Sequence, residues 1–294
     1  AKLFVDWAKA RNIKGLTAEI IQLEDKTPIV YLEIASDISQ SVLFYGHLDK
    51  MPGMQEQGWD QGKGPWQPVI ENDRLYGRGS VDNGYAFFTF ISAIKLMQEH
   101  NIPHPKCKVI IEAYEESGSC DLPFYLEQLE SRIEKPDLVM CLDAGGHDYE
   151  RIWCINSLRG LVDGILKISV LKEAVHSGTG SGIAPDSFRI LRKLLDRIED
   201  ENSGKILLKS CHVDIPSEVR DNVKELAAFL GDKIYTDIPF LKGVKPISYN
   251  VEELILNSTW RPMLSVIGAE GLPAFKDAVN VIRPSTAVHL SIRI

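Results

Sequence analysis

Cysteine is scarce in this 294-residue chain: there are five, Cys107, Cys120, Cys141, Cys154 and Cys211. The number is odd and no two have C-x-x-C spacing. That argues against a disulfide framework and for a reducing, cytoplasmic setting. Several lie in or beside apolar runs, where a free thiol packs as a small hydrophobe. Basic charge is in deficit, with 33 Lys and Arg against 41 Asp and Glu and a net charge of −8. Such a surface repels phosphate backbones and anionic lipid, so neither nucleic acid nor membrane is an expected partner. No apolar run is long enough to cross a bilayer, and no repeat or low-complexity tract is present. What remains is an ordinary globular composition, 44% hydrophobic and 25% charged. The length allows one large or two ordinary domains.

The pattern to about residue 157 alternates strands and helices. "KLFVDWAKA" reads as a short helix, and "LTAEIIQLE" and "TPIVYLEIA" as strands that pair across a turn. "QSVLFYG" lacks polar alternation, as expected of a buried strand. A looser stretch runs to about residue 70, followed by the glycine-rich "RLYGRGSVDNG". "YAFFTFISAIKLMQ" is apolar nearly all round and predicts a buried helix. "CKVIIEAY" and "PDLVMCL" predict further buried strands. Between them "DLPFYLEQLESRI" predicts a helix with Asp121 as N-cap. The expected fold is therefore α/β, a mostly parallel sheet with helices on both faces. After residue 157 the texture changes. "GLVDGILKISVL" predicts a half-exposed strand with Leu161, Ile165, Ile168 and Val170 as its apolar set. "APDSFRILRKLLDRIED" predicts an amphipathic helix, and "RPMLSVIGAEG" and "STAVHLSIRI" predict strands. This is the pattern of a small α+β second domain, residues 158–294, beside a first domain of residues 1–157.

Four strand ends or tight turns in the first domain carry metal-type ligands. They are His47 and Asp49 in "FYGHLD", Asp82 in "GRGSVDNG", Glu115 and Glu116 in "EAYEESGS", and Asp143 in "MCLDAGG". Each has an ordinary structural explanation by itself: an incidental H-x-D, a solvated Glu pair, a helix cap, a turn aspartate. Together they would be four unrelated accidents at matching ends, which is where open α/β sheets build their sites. Imidazole and carboxylate suit zinc, and two such ions can share a bridging carboxylate. His47 and Asp49 are two apart, so one ring nitrogen can bind metal while Asp49 takes a hydrogen bond from the other. Adjacent Glu115 and Glu116 must diverge, so one can ligate while the other serves as general base. Asp82, between a glycine turn and the buried helix, is placed for a bridging ligand.

"YGHLDKMP", "RLYGRGSVDNG", "EAYEESGS", "CLDAGG" and "VHSG" in this order resemble the co-catalytic zinc peptidase family. That family takes in carboxypeptidase G, the cytosolic nonspecific dipeptidase and carnosinase, aminoacylase, and the succinyl-diaminopimelate desuccinylase and acetylornithine deacetylase enzymes. The resemblance implies an α/β catalytic domain interrupted by an inserted lid, a homodimer formed through that lid, and two Zn2+ per complete chain, with Co2+ or Mn2+ as alternatives. It implies His47 and Asp143 on one zinc, Glu116 on the other and Asp82 bridging. Asp49 would orient His47, and Glu115 would be the general base acting on a metal-bound water. It further implies His176 as an oxyanion-stabilising lid histidine, with Asn280 and Arg283, in "NVIRPSTA", as candidates for the substrate carboxylate.

Two features depart from the family. Asn-Gly-Tyr-Ala follows Asp82 where a Lys-Gly pair is common, and Arg283 precedes Pro284 where proline often comes first. The family also needs a further histidine ligand from a returning catalytic segment, and none of the seven histidines here lies in one. The chain is thus expected to be a portion of a longer enzyme, with its second zinc site short of ligands. The stretch "WDQGKGPWQPVIENDRLYGRGS" favours the dipeptidase and carboxypeptidase branch, with a small peptide as substrate. The rivals are an N-acyl amino acid deacylase and a non-catalytic dimerising relative.

Overall fold

The computed structural model describes residues 1–54, 58–148, 150–155 and 157–294. Part of the loose stretch before residue 70, residues 55–57, thus lies outside the described residues. The chain divides into two compact units, Ala1–Trp153 and Cys154–Ile294.

The first unit is built on five strands: β1 (Leu16–Ile21), β2 (Ile29–Ile34), β3 (Ser41–His47), β6 (Lys106–Glu112) and β7 (Leu138–Cys141), in the order β1-β2-β6-β3-β7. A short hairpin of β4 (Val69–Glu71) and β5 (Arg74–Tyr76) stands apart from them. The β1–β2 and β2–β6 pairs are antiparallel, and the β3–β6 and β3–β7 pairs parallel. The sheet is therefore mixed. The β1–β2 hairpin expected from the sequence turns the chain back on itself, and β2 then pairs antiparallel with β6.

Period-two alternation explains why β2 and β6 carry almost no exposed side chain. Val30, Leu32, Ile34, Val109 and Ile111 point to the face covered by α1 (Lys2–Lys9) and α2 (Tyr85–Glu99). Ile29, Tyr31 and Ile110 point to the face covered by α3 (Leu122–Gln128) and α4 (Glu130–Ile133). Each large apolar side chain buried this way contributes about 1.5–3 kcal/mol. Lys108, the buried cation of β6, is tolerated because its ammonium donates to the Ile133 carbonyl at 2.7 Å and the Glu134 carboxylate at 2.9 Å. Helix α2 buries Ala86, Phe87, Phe90, Ile91 and Ile94. Tyr85 and Leu96 stay exposed, so the helix is buried along one stripe rather than all round. Strand β7 also differs from expectation. It is an edge strand whose Leu138, Val139 and Met140 are exposed.

In the second unit β8 (Leu161–Ser169), β12 (Ser285–Arg293) and β10 (Met263–Glu270) form an antiparallel sheet with β12 in the middle. Helix α6 (Ser187–Leu195), capped where Asp186 accepts the Arg189 amide at 2.6 Å, lays Leu191 on Ile168, Val288 and Leu290. The apolar set read for β8 is half right. Leu166, Ile168 and Val170 share the packed face, whereas Leu161 and Ile165 point away and are exposed. A second cluster joins α7 (Ser217–Leu230) to α9 (Val251–Thr259), two helices not anticipated from the sequence. Short elements complete the unit: β9 (Val175–His176), α5 (Ser177–Gly180), α8 (Lys233–Thr236) and β11 (Val281–Ile282), with β9 paired to β11. Among the described residues, no helix is long and apolar enough to cross a membrane. Of the five free cysteines only Cys107 is fully buried.

Candidate metal centre

Strands β6, β3 and β7 run parallel, so the loops that follow them leave the sheet at the same edge. His47 is the last residue of β3 and sits opposite Glu112, the last of β6. Its imidazole is fully buried. Nδ1 faces the Asp49 side chain at 3.3 Å and the Asp49 carbonyl at 3.1 Å. Nε2 faces Asp82 at 3.1 Å, Asp143 at 3.5 Å and Glu115 at 3.8 Å. The two ring nitrogens thus address two different sets of groups.

Asp49 is fixed by the turn after β6. Its carboxylate accepts the backbone N–H groups of Glu115 at 3.2 Å and Glu116 at 3.0 Å. Glu115 and Glu116 diverge: Glu115 turns toward His47, while Glu116 accepts the Met51 amide at 3.1 Å. Asp143 follows β7 and accepts a hydrogen bond from the Asn83 side chain at 3.0 Å. Asn83 is completely buried, and its own oxygen takes the Gly84 amide at 2.6 Å. Asp82, beside it in the turn before α2, is the most exposed of the group, with 65% of its side chain open to solvent.

Ligand atoms of His47, Asp82 and Asp143 lie within 4.8 Å of one another. Glu116 is not in this group. Carboxylates of Asp49, Asp82, Glu115 and Asp143 converge on one imidazole, so the site has a strong excess of negative charge. Burial raises the Glu115 carboxyl above its usual range, Asp143, Glu116 and Asp49 adding to this and His47 opposing it. Asp143 is likewise raised by burial, with Asp82 adding and His47 and the Asn83 hydrogen bond opposing. A divalent cation relieves that crowding, and one imidazole with several carboxylates is a donor set that suits zinc and related ions.

The remaining three candidates lie in the second unit. The β9–β11 pairing sets His176 opposite Val281, and the Ser177 amide donates to the Asn280 carbonyl at 3.0 Å. His176 is exposed, and its Nδ1 accepts the Gly178 amide at 3.1 Å. Arg283, just beyond β11, is partly exposed. His176 and Asn280 are thus neighbours despite a separation of about a hundred residues.

Asn83 and Lys50 were not singled out by sequence reasoning. Asn83 stood there as half of an ordinary helix cap and in a departure from the family pattern, yet it holds Asp143. Its signal was its place directly after a candidate ligand in a glycine turn.

The chain belongs to peptidase family M20/M25/M40, whose sequence profile matches residues 43–257. Among curated relatives, the cysteinylglycine-S-conjugate dipeptidase of Corynebacterium striatum is 24% identical over 92% of this chain and 57% of its own. The human beta-Ala-His dipeptidase is 28% identical over 83% of this chain and 48% of its own. The chain therefore spans about half the length of the curated relatives it matches. Among solved structures, an M20 family metallo-carboxypeptidase from Sulfolobus solfataricus superposes with a TM-score of 0.79 at 23% identity, over 100% of this chain and 65% of that one. Human carnosine dipeptidase 1 gives 0.73 at 23% identity, over 100% and 63%. At that identity the likeness speaks for the fold.

Proposed function

We propose that the chain carries the metal-binding part of a zinc-dependent peptidase that hydrolyses the amide bond of a dipeptide or the C-terminal bond of a short peptide. The observation that carries this is the convergence of His47, Asp82 and Asp143 beside Glu115 at one sheet edge. The dipeptidase choice draws its support from the two curated relatives described above, both of which are named as dipeptidases.

When bound, zinc supplies Lewis-acid polarisation of the scissile carbonyl and lowers the pKa of water at the site. Within this reading His47, Asp82 and Asp143 would hold one ion, and Glu116, with Asp82 shared, would contribute to a second. Asp49 takes the proton side of His47 at Nδ1, which leaves the Nε2 lone pair toward Asp82 and Asp143. Glu115, 3.8 Å from His47 Nε2 at the edge of the site, accepts a proton from the attacking water and returns it to the leaving amine. His176 stabilises the oxyanion, and Asn280 and Arg283 bind the substrate carboxylate. Residues 1–157 supply the first half of the catalytic domain and residues 158–294 part of the lid, through which two copies dimerise. A reducing, cytoplasmic setting accords with five free thiols.

The test is metal content together with activity, for the full-length protein and for Glu115→Gln. Bound zinc retained in the variant, with hydrolysis of dipeptides reduced at least 100-fold, is the expected result. Cleavage of N-acetyl amino acids but not dipeptides would make the enzyme a deacylase instead. Metal binding without cleavage of either set would favour a non-catalytic relative. Absence of bound metal would overturn the proposal.

A further inference from the structure

Lys50 lies three residues beyond His47 and one beyond Asp49, inside an acidic site, yet its ammonium is spent on the main chain. Nζ donates to the Leu48 carbonyl at 2.9 Å, to the Asp49 carbonyl at 3.1 Å and to the Asn83 carbonyl. An ammonium has three donors, and three acceptors use them all. Two of these carbonyls belong to the loop after β3. The third belongs to the turn that carries Asp82 and Asn83.

The passage for the lysine stem is cut into that turn. A Cβ at Gly79 would sit 2.2 Å from Lys50 Cε and 2.5 Å from Cδ, so no side chain fits there while Lys50 is in place. Gly79 also has φ +83°, a conformation glycine adopts without cost. At Gly84 a Cβ would stand 3.7 Å from Nζ. Gly79 therefore does more than make a turn; it leaves a lane for the side chain of another loop, whereas the 3.7 Å at Gly84 is an ordinary contact.

We infer that Lys50 is a positioning residue, an internal cationic staple that fixes the turn bearing Asp82 and Asn83 against the loop bearing His47 and Asp49. Asp49 makes the complementary tie, from the same loop to the amides of Glu115 and Glu116. Through Asn83 the staple also reaches Asp143. One short segment, Leu48–Lys50, thereby sets the relative position of every candidate ligand on its neighbouring loops. As a specificity for metal, this rests on the reading of the site as a metal centre.

The charge and the staple make opposite demands, which gives the test its edge. A lysine acting only as a nearby positive charge weakens binding of a divalent cation, so its removal would tighten binding. A staple strengthens binding by preorganising the ligands, so its removal loosens it. The experiment titrates Co2+ into the full-length wild type, Lys50→Met and Lys50→Arg, reading affinity and the visible d–d spectrum. Tm and amide hydrogen exchange are then measured in EDTA.

Lys50→Met is expected to weaken Co2+ about tenfold or more, to change the d–d spectrum, to lower Tm in EDTA by roughly 5 °C and to speed exchange across residues 79–84. Lys50→Arg keeps the charge, but its planar guanidinium is too wide for the lane over Gly79, so it is expected to follow Lys50→Met. Equal or tighter Co2+ binding by Lys50→Met with an unchanged spectrum overturns the inference, as does full recovery in Lys50→Arg. Should Lys50→Met not fold, Lys50→Gln is read on the same scales. If the wild type takes up no Co2+, the metal reading fails, and the EDTA measurements decide the staple by themselves: faster exchange across 79–84 supports it and unchanged exchange overturns it.

Discussion

Asp121 stands at the start of α3 and was expected to cap it, but its side chain makes no capping bond. It reaches instead to the β1–β2 turn, accepting the Thr27 amide and hydroxyl at 2.9 Å each and facing Lys26 at 3.4 Å. These hydrogen bonds, the Thr27 amide first, hold its carboxyl below the ordinary range. A depressed folded-state pKa contributes stability above the unfolded value and loses it as pH falls through the folded value. Asp121→Asn is therefore expected to destabilise the protein at neutral pH. The difference from wild type should shrink below about pH 4, near the unfolded pKa of an aspartate. Denaturant melts of both proteins across pH 3–7 check this. Asn83 is a second residue whose role lies in what it touches. Asn83→Ala removes the donor to Asp143 and is expected to weaken zinc about tenfold, measured by competition with a chelating dye.

Helix α2 joins the site to the core, because Asp82 and Asn83 precede its first residue and Phe87, Phe90 and Ile91 anchor it on the sheet. Phe90 stacks on Phe44 of β3 with ring centroids 4.1 Å apart, two turns from the ligands. Phe87→Ala is expected to cost about 3–5 kcal/mol. Leu96→Ala, at a position 54% exposed, should fall within about 0.5 kcal/mol of wild type by urea unfolding. The same periodicity argument shows where the sequence was ambiguous. In β8 both strand faces carry branched aliphatics, so alternation could not say which faced α6. The pairing of β8 to β12, with Ile168 opposite Thr286 and Leu166 opposite Val288, decides it. The apolar character of "LVMC" similarly read as a buried strand. It is an edge strand whose side chains are left uncovered, a property of tertiary packing and not of composition.

At the scale of the whole molecule, the two units have separate cores. Stabilisation by a ligand that binds one folded unit should be confined to that unit, by roughly 2.7 kcal/mol at a hundredfold excess over Kd. Adding a chelator to the zinc-loaded protein is thus expected to speed amide exchange within residues 1–153 and to leave residues 154–294 nearly unchanged.

The sequence by itself determined the order of the five sheet strands and main helices of the first unit, though not its β4–β5 hairpin, the apolar character of β2 and β6, and the residue types of the site. These are local or periodic properties, written within a few positions of each other. "HLD", "VDN", "EES" and "LDA" each announce a loop with metal-type side chains. Only the tertiary structure decided which carboxylate faces which nitrogen of His47, that Asn83 holds Asp143, and that Lys50 lies over Gly79 to reach the Asn83 carbonyl. It also decided that the sheet is mixed and that α7 and α9 pack together. Those facts depend on contacts between segments tens of residues apart, and strand order is what sets them side by side.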